Sequence, residues 1–415
     1  MSAALEINGN SQKGNAWKAD FPALVSIDGM ALHYLDNAAT TQKPVAVIEA
    51  MKQSIESGQG SVHRGLYPLA ESASLAYEAA RNTIAGFIGA PHSDQLIFTR
   101  SATESINMVA WGWLQPRLKP ADRVWVTRME HHANFLPWQR VCAQTGAELR
   151  IIELNENGSL DFEGADELFD PRTGLIALCH VSNVLGIENP VRTICERAAS
   201  VGIPVLVDAA QSVSHMPVDV TALGCDFLAF SAHKLYGPAG IGVLFGKKHC
   251  LEAMEPLLVG GGMVDRVDDA TAQWAPVPAR FEAGSPNLLG AVGFAAAVDW
   301  LSAVGMDKVN TRVSALTRKA VDALASVPGL QLLPGAGAER SAIVSFVLEG
   351  IHPHDIAQVA GERGVALRAG HHCCQPLLHH LGLTATARAS LGIYNDDADI
   401  AALVDAIQEA KRLFS

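Results

Sequence analysis

Between residues 95 and 246, short apolar runs of the β-strand type alternate with segments of helical period. The apolar runs read QLIFT, RVWVT, AELRIIEL, GLIALCHVS, IPVLVDAA, DFLAFS and GIGVLFG. Strands that are separated by helices usually pair in parallel, and helices then cover both faces of the sheet. The alternation therefore predicts an α/β domain with a largely parallel sheet.

The pattern changes after about residue 290. GAVGFAAAVDWLSAVG and TRVSALTRKAVDALASV have the spacing of long amphipathic helices, and the strand-like runs SAIVSFVL and VALRAG follow them. A helix near HDIAQVAGERG and a final helix from about Asp396 to Phe414 complete a smaller α+β unit. We expect an N-terminal arm over 1–32 that packs with the small domain, a large domain over 33–300 and a small domain over 301–415, with the functional site between the domains.

Composition limits the classes of function. The 415 residues are 49% hydrophobic and carry a net charge of −12, which disfavours a nucleic-acid partner because such binding needs clustered positive charge. No run reaches the ~18 apolar residues that span a bilayer, and the first residues lack an apolar signal core. A cytoplasmic protein with no membrane partner is expected. The odd number of cysteines, most of them in apolar runs, indicates no disulfide framework.

The segment from 203 to 246 carries the strongest chemical signal. One predicted strand ends in Asp208, with Gln211 just beyond it, and the next strand runs into Ser231, His233 and Lys234. A lysine with a depressed pKa at a strand end can form a Schiff base. A neighbouring carboxylate suits pyridoxal phosphate, whose ring acts as an electron sink when its nitrogen is protonated. Taken alone, Lys234 could equally be an ordinary surface lysine.

A second segment, QLIFTRSATESINMVAWGW, predicts a strand followed by a helix that opens at Ser101-Ala-Thr-Glu104. This capping-box pattern leaves backbone N–H groups at the positive end of a helix, where a phosphate binds well, and Thr103 can add a hydroxyl. A plain N-cap is the alternative. The phosphate cradle, the strand-end aspartate and the strand-end lysine in this order together favour pyridoxal phosphate.

Several motifs, in order from about residue 20 to the end, resemble those of the cysteine desulfurases in the class V aminotransferase superfamily. They are LDNAAT at 35–40, VHRG at 62–65, TESINMVA at 103–110, EHHAN at 130–134, DAAQ at 208–211, SAHKLYGP at 231–238, FEAGSPN at 281–287 and RAGHHC at 368–373. SAHKLYGP and RAGHHC resemble group II, the branch linked to sulfur supply for iron-sulfur clusters and to selenocysteine lyases. The resemblance implies the PLP-dependent transferase fold type I, with a mostly parallel seven-stranded sheet and a smaller α+β C-terminal domain.

The resemblance also implies roles around the cofactor, pyridoxal 5′-phosphate. Lys234 would hold it covalently and later move a proton, Asp208 would face the pyridine nitrogen, and His131 would stack on the ring and assist proton transfer. Gln211 would hydrogen-bond the phenolic oxygen, and Asn183 would contact the cofactor and the substrate. The groups implied at the phosphate are Ala102, Thr103, Ser231, His233 and, from a second subunit, Ser285, where many members of the family have threonine.

Two arginines are implied at the substrate. Arg388 would pair bidentately with the substrate carboxylate, and Arg368 is a second candidate partner for a carboxylate or thiolate. His63 and Arg64 lie in a segment that, in the resembling family, crosses the dimer interface near the site. A homodimer is therefore implied as well.

Desulfuration needs a nucleophile that attacks sulfur, and a thiolate is suitable. Cys373 follows Arg368, His371 and His372 in a predicted loop, where positive neighbours raise thiol reactivity. Metal binding is the rival reading for the ligand-type residues His371, His372, Cys373, Cys374, His379 and His380. Because immediate neighbours diverge and zinc sites favour spaced pairs, no metal site is predicted.

Cys374 departs from the family pattern, which more often has alanine after the nucleophile. Three readings are open for this residue: it accepts sulfur from Cys373, it forms a disulfide under oxidation, or it simply packs.

The predicted reaction converts L-cysteine to L-alanine with a persulfide on Cys373, whose sulfur passes to an acceptor protein. A lyase for L-selenocysteine and a desulfinase for cysteine sulfinate are related alternatives because they share the cofactor site. An aminotransferase, or a metal or sulfur carrier that uses the HHCC loop, is a more distant alternative.

Overall fold

The computed structural model describes residues 15–24, 31–162, 166–334 and 341–414. The strands of this part are β1 His33–Tyr34, β2 Leu96–Thr99, β3 Arg123–Thr127, β4 Glu148–Ile152, β5 Thr173–Cys179, β6 Val205–Asp208, β7 Phe227–Ser231, β8 Gly242–Gly246, β9 Val264–Val267, β10 Ala272–Trp274, β11 Leu330–Leu332, β12 Ile343–Leu348, β13 Val365–Ala366, β14 Arg368–Gly370 and β15 Thr386–Ser390. The α-helices are α1 Val45–Glu56, α2 Pro68–Phe87, α3 Ala102–Met108, α4 Leu136–Thr145, α5 Val191–Ser200, α6 Val220–Leu223, α7 Lys248–Glu252, α8 Leu288–Val304, α9 Met306–Ala325, α10 Pro353–Glu362, α11 Gln375–His380 and α12 Asp397–Phe414.

A seven-stranded sheet in the order β2-β8-β7-β6-β5-β3-β4 forms the centre of the fold. The strands from β7 to β4 pair in parallel, and β8 pairs antiparallel with both β7 and β2. Ile176 and Leu178 of β5 pack into one apolar core while Leu175 and Ala177 pack into a second core. Because successive side chains of a strand point to opposite faces, both faces of the sheet are covered. The predicted fold class, with its mostly parallel sheet, is confirmed.

The C-terminal region is built on a four-stranded antiparallel sheet in the order β11-β12-β15-β14. Helices α9, α10 and α12 supply apolar side chains to a third core beside it. The run VALRAG, predicted as one strand, is two: β13 pairs in parallel with β1, and β14 pairs with β15. The pairing changes at Leu367, so residues before it pair with β1 and residues after it pair with β15.

The segment that follows β1 connects the two sheets. β1 pairs with β13, and Asp36 forms an isolated parallel bridge with Ser390 of β15. On its other side, Thr40 and Thr41 donate hydroxyl hydrogen bonds of 3.1 and 3.0 Å to the carbonyl of His233. Residues 33–36 therefore pair with C-terminal strands, and the domain limits stay predictions.

Part of the expected N-terminal arm lies outside the described residues, namely 1–14 and 25–30. Of the described part, Asn15 donates through Nδ2 to the carbonyl of Ile393 at 2.7 Å, and Lys18 lies 3.6 Å from Asp396. Asp20 accepts a hydrogen bond from Trp300 of α8 at 3.0 Å. Residues 15–24 thus contact both the C-terminal region and the helix that leads to it.

None of the described helices is by itself long and apolar enough to cross a bilayer; α8 and α9 reach that length and composition only as a pair, which is bent by 79°.

A buried arginine on α2 fixes the loop at residues 281–287. Arg81 is 2% exposed, and its guanidinium donates to both carboxylate oxygens of Glu282 at 2.6 and 2.9 Å. Tyr77 and the backbone N–H of Phe98 also donate to Glu282, at 3.0 and 2.8 Å. Glu282 therefore ties the loop to α2 and to strand β2.

Replacing Arg81 with Met leaves Glu282 without its charged partner. Removing one member of a buried ion pair costs about 3–5 kcal/mol, so Arg81→Met is expected to lower the free energy of unfolding in urea by this amount. Arg192→Met is the control, because Arg192 and Glu196 are exposed by 71% and 61%, and such pairs contribute at most about 1 kcal/mol. Equal losses in the two variants would contradict the role of the buried pair.

Candidate functional site

A cavity of about 270 Å³ lies at the carboxyl ends of the central parallel strands. Asp208 ends β6, Ser231 ends β7, Lys234 follows β7 by one helical turn and Cys179 ends β5. Ligand sites of open α/β sheets lie at this edge because the loops there converge. The lining side chains include Ala102, Thr103, His131, Asn183, Asp208, Gln211, Ser231, His233, Lys234, Arg368, His372, Cys373 and Arg388.

Lys234 and Asp208 form the electrostatic centre of the cavity. Burial raises the pKa of Asp208, which is 6% exposed, and the charge of Lys234 opposes that effect. Burial lowers the pKa of Lys234, and the Asp208 charge acts in the opposite direction. A lysine amine with a lowered pKa is a better nucleophile at neutral pH. Asp208 is held in place by the backbone N–H of Ala210, which donates to it at 2.9 Å.

The start of α3 and the end of β7 meet at one end of the cavity. Ser101 caps the helix by accepting a hydrogen bond from the Glu104 N–H, as the capping pattern predicts. The N–H of Ala102 donates to Ser231 Oγ at 2.8 Å. Thr103 is exposed toward solvent and still lines the cavity. An anion here would meet hydroxyl groups and the positive end of a helix.

His131 is held as a neutral imidazole. Its Nδ1 accepts a hydrogen bond of 3.0 Å from the Ala133 N–H, so the ring proton belongs on Nε2. Burial, followed by the charge of Lys234, lowers the pKa of His131 to about 3.

Gln211 is oriented by a hydrogen bond to the backbone. It donates from Nε2 to the carbonyl of Ala38 at 3.0 Å, which fixes the direction of its side-chain amide.

Cys373 lies in the turn between β14 and α11, as the loop prediction expects. His372 and Cys373 both have positive φ, 52° and 54°, a conformation that costs free energy for residues with a Cβ. Three contacts hold it: the Asn183 amide donates to His372 O at 2.8 Å, the His132 N–H donates to Cys373 O at 2.7 Å, and the Cys373 N–H donates to His371 Nδ1 at 3.1 Å. The cavity wall thus includes a fixed, partly exposed thiol.

Cys374 points away from the cavity. Its thiol is fully buried and lies 3.2 and 3.3 Å from the carbonyl oxygens of Met129 and Glu130. Burial, then the Glu130 charge, raises the pKa of this thiol. Of the three readings of Cys374, the geometry supports packing.

The HHCC segment brings no three metal-ligand atoms together. Within the described ranges, one cluster of His, Cys and acidic side chains has converging ligand atoms: Asp226, His249 and Cys250. The ammonium of Lys247 lies 2.8 Å from Asp226 Oδ1, so the carboxylate of this cluster is already paired with a lysine.

Arg388 and Arg368 face each other across the β14–β15 ladder. Arg388 is 2% exposed. Its Nη1 donates to Asn183 O at 2.9 Å, and its Nη2 donates to Asp36 Oδ1 at 3.2 Å. Its Nε is buried without a partner among the described residues. Burial lowers the pKa of Arg388 to about 10. Two of its nitrogens are therefore anchored, and a bidentate contact with a carboxylate must use the remaining N–H groups.

Three of the sequence-predicted residues, Ser285, His63 and Arg64, are absent from the cavity wall. All three are exposed, and Arg64 Nη2 donates to Gly284 O at 3.0 Å. The VHRG segment and the 281–287 loop thus adjoin each other on the surface of their own chain.

Two carboxylates near the site, the buried Glu130 and the part-exposed Asp36, were missed by sequence reasoning. Glu130 is fully buried and accepts hydrogen bonds from Thr127, Asn134 and the Cys179 N–H; burial raises its pKa to about 7. Asp36 pairs with Arg388. Both belong to motifs that carry the family resemblance, EHHAN and LDNAAT, but of these two motifs the sequence analysis assigns a role only to His131.

The donor set fits pyridoxal phosphate. A lysine amine, an adjacent carboxylate, a neutral imidazole and a hydroxyl-lined helix end share one cavity, which matches the aldehyde, pyridine nitrogen, ring face and phosphate of that cofactor. The residues that would hold it are Lys234, Asp208, His131 and the groups around Ser231.

Comparison with known proteins identifies the relatives of this fold. A family model described as Aminotransferase class-V matches residues 33–403. A cysteine desulfurase of Haloferax volcanii is 43% identical over 415 residues, which cover 97% of each chain. A similar solved structure is the crystal structure of the cysteine desulfurase CsdA from Escherichia coli in its S-sulfonic acid form. Its sequence is 42% identical to this chain, and the match covers 98% of this chain and 100% of CsdA with a TM-score of 0.90. A C-DES variant with glycine linked to its PLP cofactor shares the fold at 21% identity and a TM-score of 0.80, covering 94% of this chain and 98% of its own.

The different burial of the adjacent thiols is testable by alkylation. Iodoacetamide is expected to modify Cys373 in the native protein and to leave Cys374 unmodified, because Cys374 is buried with a raised pKa. Peptide mass spectrometry after a short exposure gives the site of labelling. Cys373→Ser serves as the control and should take up almost no label; comparable labelling of Cys374 in either protein would contradict its burial.

Proposed function

The chain belongs to the class-V aminotransferase family, and on that premise we propose that it is a cysteine desulfurase that uses Cys373 as its nucleophile. The observation that carries this proposal is a single cavity whose wall includes Lys234, Asp208 and the thiol of Cys373. A lysine-carboxylate pair is what pyridoxal phosphate requires, and an aminotransferase would have no use for a thiol at that position.

Bound pyridoxal phosphate supplies an electron sink for the α-carbon of an amino acid. Lys234 would hold the cofactor through Nζ, and Asp208 would favour the protonated form of its ring nitrogen. His131 would offer the face and the Nε2–H of a neutral imidazole. Ser231, His233 and the start of α3 would hold the phosphate.

The substrate L-cysteine enters with its carboxylate toward Arg388, whose position is fixed by Asn183 and Asp36. The Nζ amine of Lys234 would take the α-proton of the substrate, a role for which its lowered pKa suits it. Arg368 adds a second positive charge to the same wall.

Cys373 completes the reaction. Its thiolate attacks the sulfur of the substrate, a sulfur–sulfur bond forms, and the bond between that sulfur and the β-carbon breaks with its electron pair moving to the carbon side. Protonation of the carbon skeleton gives L-alanine, and the sulfur stays on Cys373 as a persulfide. A thiol of an acceptor protein then removes the sulfur by attack on the persulfide.

Iron-sulfur cluster assembly is the pathway we propose for this sulfur, and the cytoplasm is the expected location. The cofactor groups would equally serve a selenocysteine lyase or a cysteine sulfinate desulfinase. These activities depend less on the thiol, so the effect of removing Cys373 separates them from a desulfurase.

We also propose a homodimer, in which Ser285 contributes to the phosphate site of the partner subunit. Ser285 is exposed and is absent from the cavity wall of its own chain. The exposed Leu258 lines a surface pocket together with Ser285, and Val259 beside it is exposed as well. Arg64 joins these segments, since it contacts Gly262 as well as Gly284. A second copy of this chain would cover such a patch.

Cys373→Ala tests the nucleophile. The wild type is expected to release L-alanine from L-cysteine in the presence of a reductant, and the variant is expected to lose at least about 100-fold in rate, because no thiolate reaches the sulfur. Cys374→Ala is the matched control and should keep most of the rate, since its thiol is turned away. Equal release of L-alanine by Cys373→Ala and by the wild type would favour a selenocysteine lyase or a sulfinate desulfinase. An aminotransferase would instead require a keto acid as its second substrate.

Leu258→Asp tests the dimer. Light scattering of the wild type is expected to give twice the mass of one 44.0 kDa chain, and the variant is expected to shift toward monomer, because burying a charge in an apolar interface is unfavourable. Val201→Asp is the control: Val201 is similarly exposed, 50% against 49%, but lies at the end of α5. A monomeric wild type at working concentration would exclude the proposed role of Ser285.

A further inference from the structure

We propose that Asp36 is a positioning residue that sets how Arg388 receives the carboxylate of the substrate. This inference rests on the proposed function, because it assigns Arg388 to a substrate carboxylate. Asp36 is not part of the cavity wall. It acts on the cavity through the guanidinium of Arg388.

Two anchors fix the plane of that guanidinium. Asn183 O holds Nη1 at 2.9 Å, and Asp36 Oδ1 holds Nη2 at 3.2 Å. Because the guanidinium is planar, anchors on both terminal nitrogens leave it little freedom to rotate. Nε is buried without a partner among the described residues, and each terminal nitrogen carries a second N–H. Because Arg388 lines the cavity, these are the groups left to receive a carboxylate.

The backbone around Asp36 is itself fixed to the strand that carries Arg388. Ser390 N donates to Leu35 O at 2.7 Å, Ala38 N donates to Ser390 Oγ at 2.8 Å, and Asp36 bridges Ser390. These contacts fix the backbone of residues 35–38 against β15. The backbones that carry Asp36 and Arg388 therefore have a fixed separation, from which the two side chains reach each other.

The charges on the β14–β15 ladder also support a positioning role for Asp36. Arg368 and Arg388 are direct cross-strand neighbours, and like charges directly opposite each other repel. Asp36 pairs with Arg388 at 3.2 Å, whereas within the described chain no ion pair appears for Arg368. The charge of Asp36 thus offsets part of the repulsion between the two arginines, and its contact with one Nη2 hydrogen leaves Arg388 further donors for the substrate.

Binding of a non-reacting probe tests this role directly. 3-Mercaptopropanoate has the carboxylate and thiol of the substrate but no amino group, and 2-mercaptoethanol has the thiol alone. Calorimetry on the cofactor-loaded protein is expected to show about tenfold weaker binding of 3-mercaptopropanoate to Asp36→Ala, with 2-mercaptoethanol unchanged. Asp36→Asn keeps an acceptor for Nη2 and is expected to stay within about threefold of the wild type.

The kinetics of L-cysteine give an independent readout. Asp36→Ala should raise KM with little change in kcat, because ground-state and transition-state binding of the carboxylate are lost together. Wild-type turnover, measured in parallel, tests the proposed function by itself; probe binding tests Asp36 whether or not turnover is seen.

Several results would overturn the role of Asp36. Unchanged or tighter binding of 3-mercaptopropanoate to Asp36→Ala would show that Asp36 does not position Arg388 for a carboxylate. Equal weakening by Ala and Asn would assign the effect to charge instead of placement. Parallel loss of 2-mercaptoethanol binding would indicate general damage to the cavity. Should Asp36→Ala not fold, Asp36→Ser makes the same comparison, because its hydroxyl is too short to reach Nη2.

Discussion

The pairing of Lys234 with Asp208 is the interaction on which the rest of the site depends. Burial disfavours the charged form of each group, and the opposite charge of the other offsets part of that cost. The two side chains lie at the ends of neighbouring parallel strands, β7 and β6. The order of the sheet therefore sets the distance between amine and carboxylate, and a change of strand order would separate them.

The second half of the site comes from the C-terminal sheet, so its alignment depends on contacts between the two sheets. Asn183 makes two such contacts, since its side chain holds the Cys373 turn and its carbonyl holds Arg388. Residues 35–41 make others, to Ser390 on one side and to His233 on the other. The nucleophile and the lysine are thus held relative to each other by hydrogen bonds between side chains and backbone groups.

Most of the central sheet was predictable because its strands are apolar on both faces and separated by helices. β15 was not predicted, since TARAS contains no apolar run, although all of its residues are buried. Cross-strand pairing of Arg368 with Arg388 depends on register, which the spacing of two short strands does not reveal. The contact of Asp36 with Arg388 joins residues that are 352 positions apart, and no local pattern encodes it. Motif order predicted many of the residues that line the cavity, but the contacts among them required the fold.

The orientation of Cys374 determines how the protein meets oxidants. In many redox enzymes a second cysteine near the reactive one converts a sulfenic acid into a disulfide, which stops further oxidation. Here the adjacent thiol is turned into the protein toward Met129, and the other five cysteines are buried. Cys179 lines the same cavity as Cys373, but burial raises the pKa of its thiol well above the usual value, so it is a poor resolving thiol. Peroxide would therefore carry Cys373 toward the irreversible sulfinic and sulfonic acids unless a small thiol intervenes. The resting enzyme would depend on the reducing power of its surroundings to stay active.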